Sequence, residues 1–124
     1  MEKRANGAGL NAQQQESLQK QLQAAREVLV SRRSSQLRAR TDLLSEVEDE
    51  GDAASRANSE EMLVSLAESE HTRLAEIDRA LAKFETGEYG LDEDTGEPIG
   101  FGRLSAIPWA RFAARTQEEH DRQR

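Results

Sequence analysis

Six carboxylates, Asp42, Glu46, Glu48, Asp49, Glu50 and Asp52, fall between positions 42 and 52 of this 124-residue chain, and a second acidic run follows at Asp92, Glu93 and Asp94. Clustered carboxylates can hold a hard divalent cation, share a proton as acid and base, or present negative charge to a basic or metal-bearing cavity in a partner. The first two uses need companions. Around Asp92–Asp94 no nucleophile, base and oxyanion donor can be nominated together, so the residues point away from an enzyme. The chain has no cysteine, and its two histidines, His71 and His120, stand far apart in sequence. Disulfides, thiolate nucleophiles and metal centres built from thiolate or clustered imidazole are thereby excluded, and no cofactor is expected.

The whole-chain balance narrows the partner. A formal charge of −7 opposes binding to a phosphate backbone, which depends on clustered Lys and Arg releasing counterions, so direct sequence-specific DNA binding is not expected. Charged residues make up 33% of the chain and the apolar set only 35%. A thick core cannot be filled from that composition, and a thin or extended architecture follows. The longest aliphatic run is Val28-Leu29-Val30, and the N-terminus runs into glutamines rather than an apolar segment. The expectation is a soluble cytoplasmic protein without membrane association.

The elements that position these carboxylates can be read from the spacing of apolar residues. Residues 1–11, with Asn6, Gly7, Gly9 and Asn11 and no apolar period, read as a flexible tail. From Asn11 to about Glu50 there is neither proline nor glycine, and Leu18, Leu22, Ala25, Leu29, Gln36 or Leu37, Leu44 and Val47 recur at steps of three and four. A second stripe follows at Leu63, Leu66, Glu70, Leu74, Ile77, Leu81 and Phe84, with Asn58 and Glu61 spaced as an N-cap and its reciprocal partner. Two such helices predict an antiparallel coiled-coil hairpin over 12–86, its tip near 49–58, in a monomer. Gly87 suits a left-handed C-cap, and residues 87–124 then form a small module. It holds Tyr89, Ile99, Phe101, Leu104, Trp109 and Phe112 as its apolar cluster and a helix from about Pro108. The fold class is mainly α.

Charge is segregated along the first helix. Arg26, Arg32, Arg33, Arg38 and Arg40 occupy the stem, while the carboxylates crowd the tip. Carboxylates at a helix C-terminus oppose the macrodipole and cost stability unless something outside the molecule uses them.

Two segments are specific enough to carry a resemblance. Ile77-Asp78-Arg79-Ala80-Leu81-Ala82-Lys83-Phe84-Glu85-Thr86-Gly87-Glu88-Tyr89-Gly90 is followed in order by Gly96-Glu97-Pro98-Ile99 and Arg103-Leu104-Ser105-Ala106-Ile107-Pro108. Over roughly residues 42–117 the chain resembles the TraR/DksA family of RNA polymerase secondary-channel transcription regulators. The resemblance implies RNA polymerase as partner and a coiled-coil tip acting beside its active site to modulate initiation. The family's tip pattern Asp-x-x-Asp-x-Ala is matched by Asp49, Asp52 and Ala54; an alternative register uses Asp52, Ser55 and Ala57. The family closes its small module with a four-cysteine zinc site, whose positions correspond here to Asp92, Thr95, Ala113 and Thr116, so the module is expected to be a degenerate, metal-free zinc-finger-like unit. Positions at which certain members bind the alarmone ppGpp through cations correspond to Glu76, Ile107 and Gln117, none of which can pair with phosphate. Arg103 and Arg111 are candidate polymerase contacts. A Gre-like stimulator of transcript cleavage and a coiled-coil adaptor without polymerase binding are the alternatives.

Overall fold

A computed structural model describes residues 6–45 and 53–123, with side chains described over 6–42 and 58–123. Four helices follow in chain order: α1 (Ala12–Ser45), α2 (Ala53–Thr86), α3 (Phe101–Ala106) and α4 (Ala114–Arg122). The two long helices have 34 residues each, roughly 50 Å at 1.5 Å per residue. Among the described residues the sole β pairing is an isolated antiparallel bridge between Leu91 and Pro98. No described helix is long and apolar enough to cross a membrane.

The helix ends are set by local chemistry. Asn11 and Gln14 cap α1 reciprocally: the Gln14 amide donates to Asn11 Oδ1 at 2.8 Å, and the Asn11 amide donates to Gln14 Oε1 at 3.0 Å. α2 begins at Ala53, five residues before the expected N-cap, and Asn58 is an exposed residue within it. The run Ala53-Ala54-Ser55-Arg56-Ala57 has high helix propensity and nothing to interrupt it, which outweighs the capping pattern at Asn58. The end of α2 is the expected one. Gly87 takes φ 77°, and the Glu88 amide donates to the Lys83 carbonyl at 3.0 Å, closing the last turn across the glycine.

The chain divides into two units, Met1–Ala25 with Glu76–Arg124, and Arg26–Ala75. In the second, α1 and α2 run antiparallel, with Arg32 pairing with Glu70 at 3.4 Å and Arg40 with Glu60 at 3.6 Å. Gln36 takes the half-buried position and bonds Glu70 Oε2 at 3.1 Å, while Leu37 is 62% exposed. On α2, Val64 and Ala67 are half-buried in place of Leu66, which is 49% exposed. The alternation of three- and four-residue steps admits either neighbour, and here the smaller or polar residue lies inside.

The first unit holds every buried hydrophobic residue among those described. Leu18 and Leu22 of α1 meet Ile77 and Ala80 of α2 in a core completed by Tyr89, Ile99, Leu104 and Phe112. Each fully buried large side chain stabilises by about 1.5–3 kcal/mol. Tyr89 stacks on Phe84 with ring centroids 4.0 Å apart and donates its hydroxyl to the Pro108 carbonyl at 2.7 Å. That bond holds Pro108 outside any helix, and the following turn is closed by the Ala110 amide on the Ile107 carbonyl. The last helix therefore starts at Ala114 rather than near Pro108. The short α3 was not expected; it buries Leu104 and leaves Phe101 40% exposed, outside the apolar cluster assigned to it.

The tail expected over 1–11 is folded from Asn6 onward. Asn6 Nδ2 donates to the Tyr89 carbonyl at 2.7 Å, and Asn6 Oδ1 accepts from the amides of Ala8 and Leu10, both at 3.1 Å. Ala8 and Leu10 are buried against Gly90, whose φ is 91°. A Cβ at Gly90 would lie 2.9 Å from Ala8 Cβ and 3.1 Å from Leu10 Cδ1. Gly90 is thus required twice, by its backbone angle and by the closeness of the strap. Gly90→Ala is expected to destabilise the chain by about 1–3 kcal/mol in urea unfolding, whereas Gly96→Ala, which has open space around it, should cost less. Equal losses would contradict the packing assigned to residues 6–10.

Candidate functional site

Asp92, Thr95, Ala113 and Thr116, the positions expected from the resemblance to match a metal site, are brought together in the first unit around one carboxylate. Asp92 is 2% exposed. Its Oδ1 accepts from the amides of Asp94 at 2.8 Å and Thr95 at 3.0 Å, and its Oδ2 accepts from the amide of Ala113 at 2.7 Å. The Thr116 side chain adds a further hydrogen bond to the carboxylate. The hairpin turn carrying it is closed by the Asp92 amide on the Glu97 carbonyl at 2.7 Å and the Ile99 amide on the Gly90 carbonyl at 2.8 Å. Burial pushes the Asp92 carboxyl up, but the bonds from Ala113, Thr116, Thr95 and Asp94 outweigh that and hold it below its ordinary value.

This donor set does not fit zinc. Both oxygens of Asp92 are occupied by N–H donors, Thr95 Oγ1 accepts from the Glu97 amide at 3.2 Å, and Ala113 has no ligating atom. Among the described residues there is no group of three or more His, Cys, Asp or Glu that could hold a metal ion. The convergence is instead a hydrogen-bonded knuckle joining the 90–99 hairpin to the start of α4.

The next residue faces the other way. Glu93 receives Arg79 through two bonds of 2.7 Å, Lys83 Nζ at 2.8 Å and Arg111 Nη2 at 3.1 Å. The bidentate bond from Arg79 is the largest influence on its carboxyl, which lies far below the ordinary range despite opposing burial. This cluster was not anticipated from the sequence. Arg79 and Lys83 stand four apart on α2, a spacing that places two cations on one face, but their partner ten or more residues away could not be inferred from periodicity.

Other candidate residues have defined places. Arg111 pairs with Glu93 and lies over the Phe112 ring at 5.0 Å, while Arg103 Nε donates to the Phe112 carbonyl at 2.9 Å. His120, stacked on Phe112 with centroids 4.3 Å apart, contacts Asp94 Oδ2 at 2.7 Å. Glu76 and Ile107 are half-buried, and Gln117 donates to Asp121 Oδ1 at 3.1 Å. Asp49 and Asp52 lie outside the described residues. Ala54, Ser55 and Ala57 belong to the first two turns of α2.

The carboxylates of Asp92 and Glu93 titrate in the folded chain below their ordinary values of 3.8 and 4.5. Their stabilisation is therefore complete at neutral pH and is lost as the pH falls through the lowered folded values. Asp92→Asn, which sets an NH2 group against amide donors, is expected to destabilise the chain by about 1–3 kcal/mol at pH 7, with the deficit narrowing below about pH 4. Urea unfolding of both proteins across this range reads the difference, and a gap independent of pH would contradict the carboxylate's role.

No family model matches the chain. It is 42% identical over 83 residues to the RNA polymerase-binding transcription factor DksA of Caulobacter vibrioides, an alignment covering 64% of this chain and 58% of that protein. Over 78 residues it is 44% identical to an uncharacterized protein of Aquifex aeolicus, covering 63% of this chain and 54% of the relative. The chain thus spans little more than half the length of these curated relatives. The solved structure of transcription factor DksA2 from Pseudomonas aeruginosa superposes with a TM-score of 0.80 at 32% identity, covering 90% of this chain and 86% of that one. Likeness at that identity over nearly the full length of both chains establishes that the chain belongs to the TraR/DksA family.

Proposed function

We propose that the chain is a non-enzymatic transcription regulator that binds RNA polymerase in the cytoplasm. The observation that carries this reading is the likeness to transcription factor DksA2 over 90% of the chain. In this reading the small module and the base of the hairpin dock at the rim of the secondary channel, with Arg103 and Arg111 as candidate contacts. The hairpin turn enters the channel and sets Asp49 and Asp52, followed by Ala54, near the catalytic magnesium; in the alternative register Asp52, Ser55 and Ala57 take those places. No sequence-specific DNA contact is required. To change initiation the protein must bind one polymerase state more tightly than another, because equal affinity shifts no equilibrium.

Two features of this chain modify the family's behaviour. The knuckle built on Asp92 supports activity without zinc. Glu76, Ile107 and Gln117 offer no cation to a phosphate, and Glu76 would repel one, which supports a regulator without a ppGpp response.

Binding to core polymerase, in competition with a known secondary-channel protein, tests the partner. Wild type and an Asp49→Asn, Asp52→Asn double variant should bind alike, and wild type alone should shorten promoter-complex lifetime. Absence of competition would contradict channel docking, and stimulated transcript cleavage would mark a Gre-like cofactor instead. With polymerase lacking its other ppGpp site, adding ppGpp should leave the effect of this protein unchanged; a strengthened effect would overturn the assignment at Glu76, Ile107 and Gln117.

A further inference from the structure

The strap over residues 6–10 begins with Asn6-Gly7, a side-chain amide followed by a residue with no Cβ to shield its backbone nitrogen. In an unrestrained chain this pair reacts with itself in water. The Gly7 nitrogen attacks Asn6 Cγ, the C–Nδ2 bond breaks, and the Gly7 proton leaves with the side-chain nitrogen as ammonia, so that a cyclic imide forms. Water then opens either carbonyl of the ring. One product is aspartate; the other is isoaspartate, in which the main chain runs through Cβ and Cγ. Water is the sole co-reactant, and no oxidation state changes.

The fold grips Asn6 by its side chain and its backbone together. Nδ2, the leaving nitrogen, donates to the Tyr89 carbonyl at 2.7 Å, and Oδ1 accepts from the amides of Ala8 and Leu10, both at 3.1 Å. The Asn6 amide donates to the Leu10 carbonyl, and the Asn6 carbonyl accepts from the Gly9 amide, each at 3.0 Å. Ala8 and Leu10 are 7% and 2% exposed, which anchors the turn from its far end. Bringing the Gly7 nitrogen onto Asn6 Cγ rotates both the side chain and the backbone of Asn6, so the ring closes only when these bonds open together.

We propose that Asn6 is a site of spontaneous deamidation held in check by the strap, and that its conversion releases the strap from the small module irreversibly. Neither product restores the closed state. Aspartate keeps an acceptor for Ala8 and Leu10 but sets an oxygen against the Tyr89 carbonyl, where the closed strap has a donor. Isoaspartate lengthens the main chain by one carbon and displaces Ala8 from Gly90, a contact so close that a Cβ on the glycine would lie 2.9 Å from Ala8 Cβ. The rate of release is therefore set by how often residues 6–10 open, and each conversion is permanent. This does not depend on polymerase binding.

Peptide mapping by mass spectrometry of the full chain at neutral pH, folded and in urea, tests the proposal by following Asn6 beside Asn11 and Asn58. In urea Asn6 should convert faster than the other two, and in the folded chain it should convert more slowly than in urea by roughly tenfold or more. Leu10→Ala, which loosens the strap and leaves the dipeptide intact, should bring the folded rate toward the urea rate. Asn6→Asp, which stands for one product, should speed hydrogen exchange at the Gly9 amide, since that N–H closes the strap on the residue-6 carbonyl. A folded chain that deamidates at Asn6 as fast as the unfolded one would show that the amides on Oδ1 assist the attack rather than restrain it. Unchanged exchange at Gly9 in Asn6→Asp would show that conversion does not free the strap, and either result would overturn the proposal.

Discussion

Burying a carboxylate is unfavourable unless its oxygens are engaged by donors, and Asp92 meets that condition with three backbone amides and the Thr116 side chain. The donors come from two separate segments, the acidic turn itself and the entry to α4. A four-thiolate centre fixes two segments by coordination; here one charge fixes them by hydrogen bonds, and the anion is supplied by the chain. The arrangement needs the carboxylate ionised, the turn folded back through Gly96, and Ala113 in extended geometry so that its amide points inward. Glu93 then faces outward, and its three cations tie the same turn to α2 and to the loop at Arg111. Two neighbouring carboxylates thus hold the turn from opposite sides.

The two units are stabilised differently. The unit built on Leu18, Leu22, Ile77, Tyr89 and Leu104 has a dry core and a hydrogen-bonded strap at Asn6. The Arg26–Ala75 unit relies on a narrow seam of half-buried residues and a few exposed ion pairs, which contribute little individually. Local opening is expected to be easier there than around Tyr89, because protection follows buried apolar contact. In the proposed function this suits a rod that must fit a partner's channel, while the small module supplies a fixed docking surface.

Much of this was legible because it depends on local pattern. Leu18, Leu22 and Ile77 follow from helical spacing, and the Gly87 cap from one residue's conformational freedom. What escaped depends on distant partners or on choices that periodicity leaves degenerate. Asn6 reaches a carbonyl 83 residues away, so the strap has no local signature. Leu37 and Leu66 satisfy the helical step as well as Gln36 and Ala67 do, and only the facing helix decides between them. Pro108 suits the first turn of a helix, but the Tyr89 hydroxyl holds its carbonyl in a turn.

The central claim is that the ionised Asp92 carboxylate joins the 90–99 hairpin to the start of α4 through its hydrogen bonds. Amide hydrogen exchange at Ala113, followed by NMR before and after exhaustive chelation, tests it most directly. The account predicts slow exchange that chelation leaves unchanged, because the amide donates to Asp92 rather than lying over a metal site. Protection that collapses on chelation and returns with added zinc would contradict it.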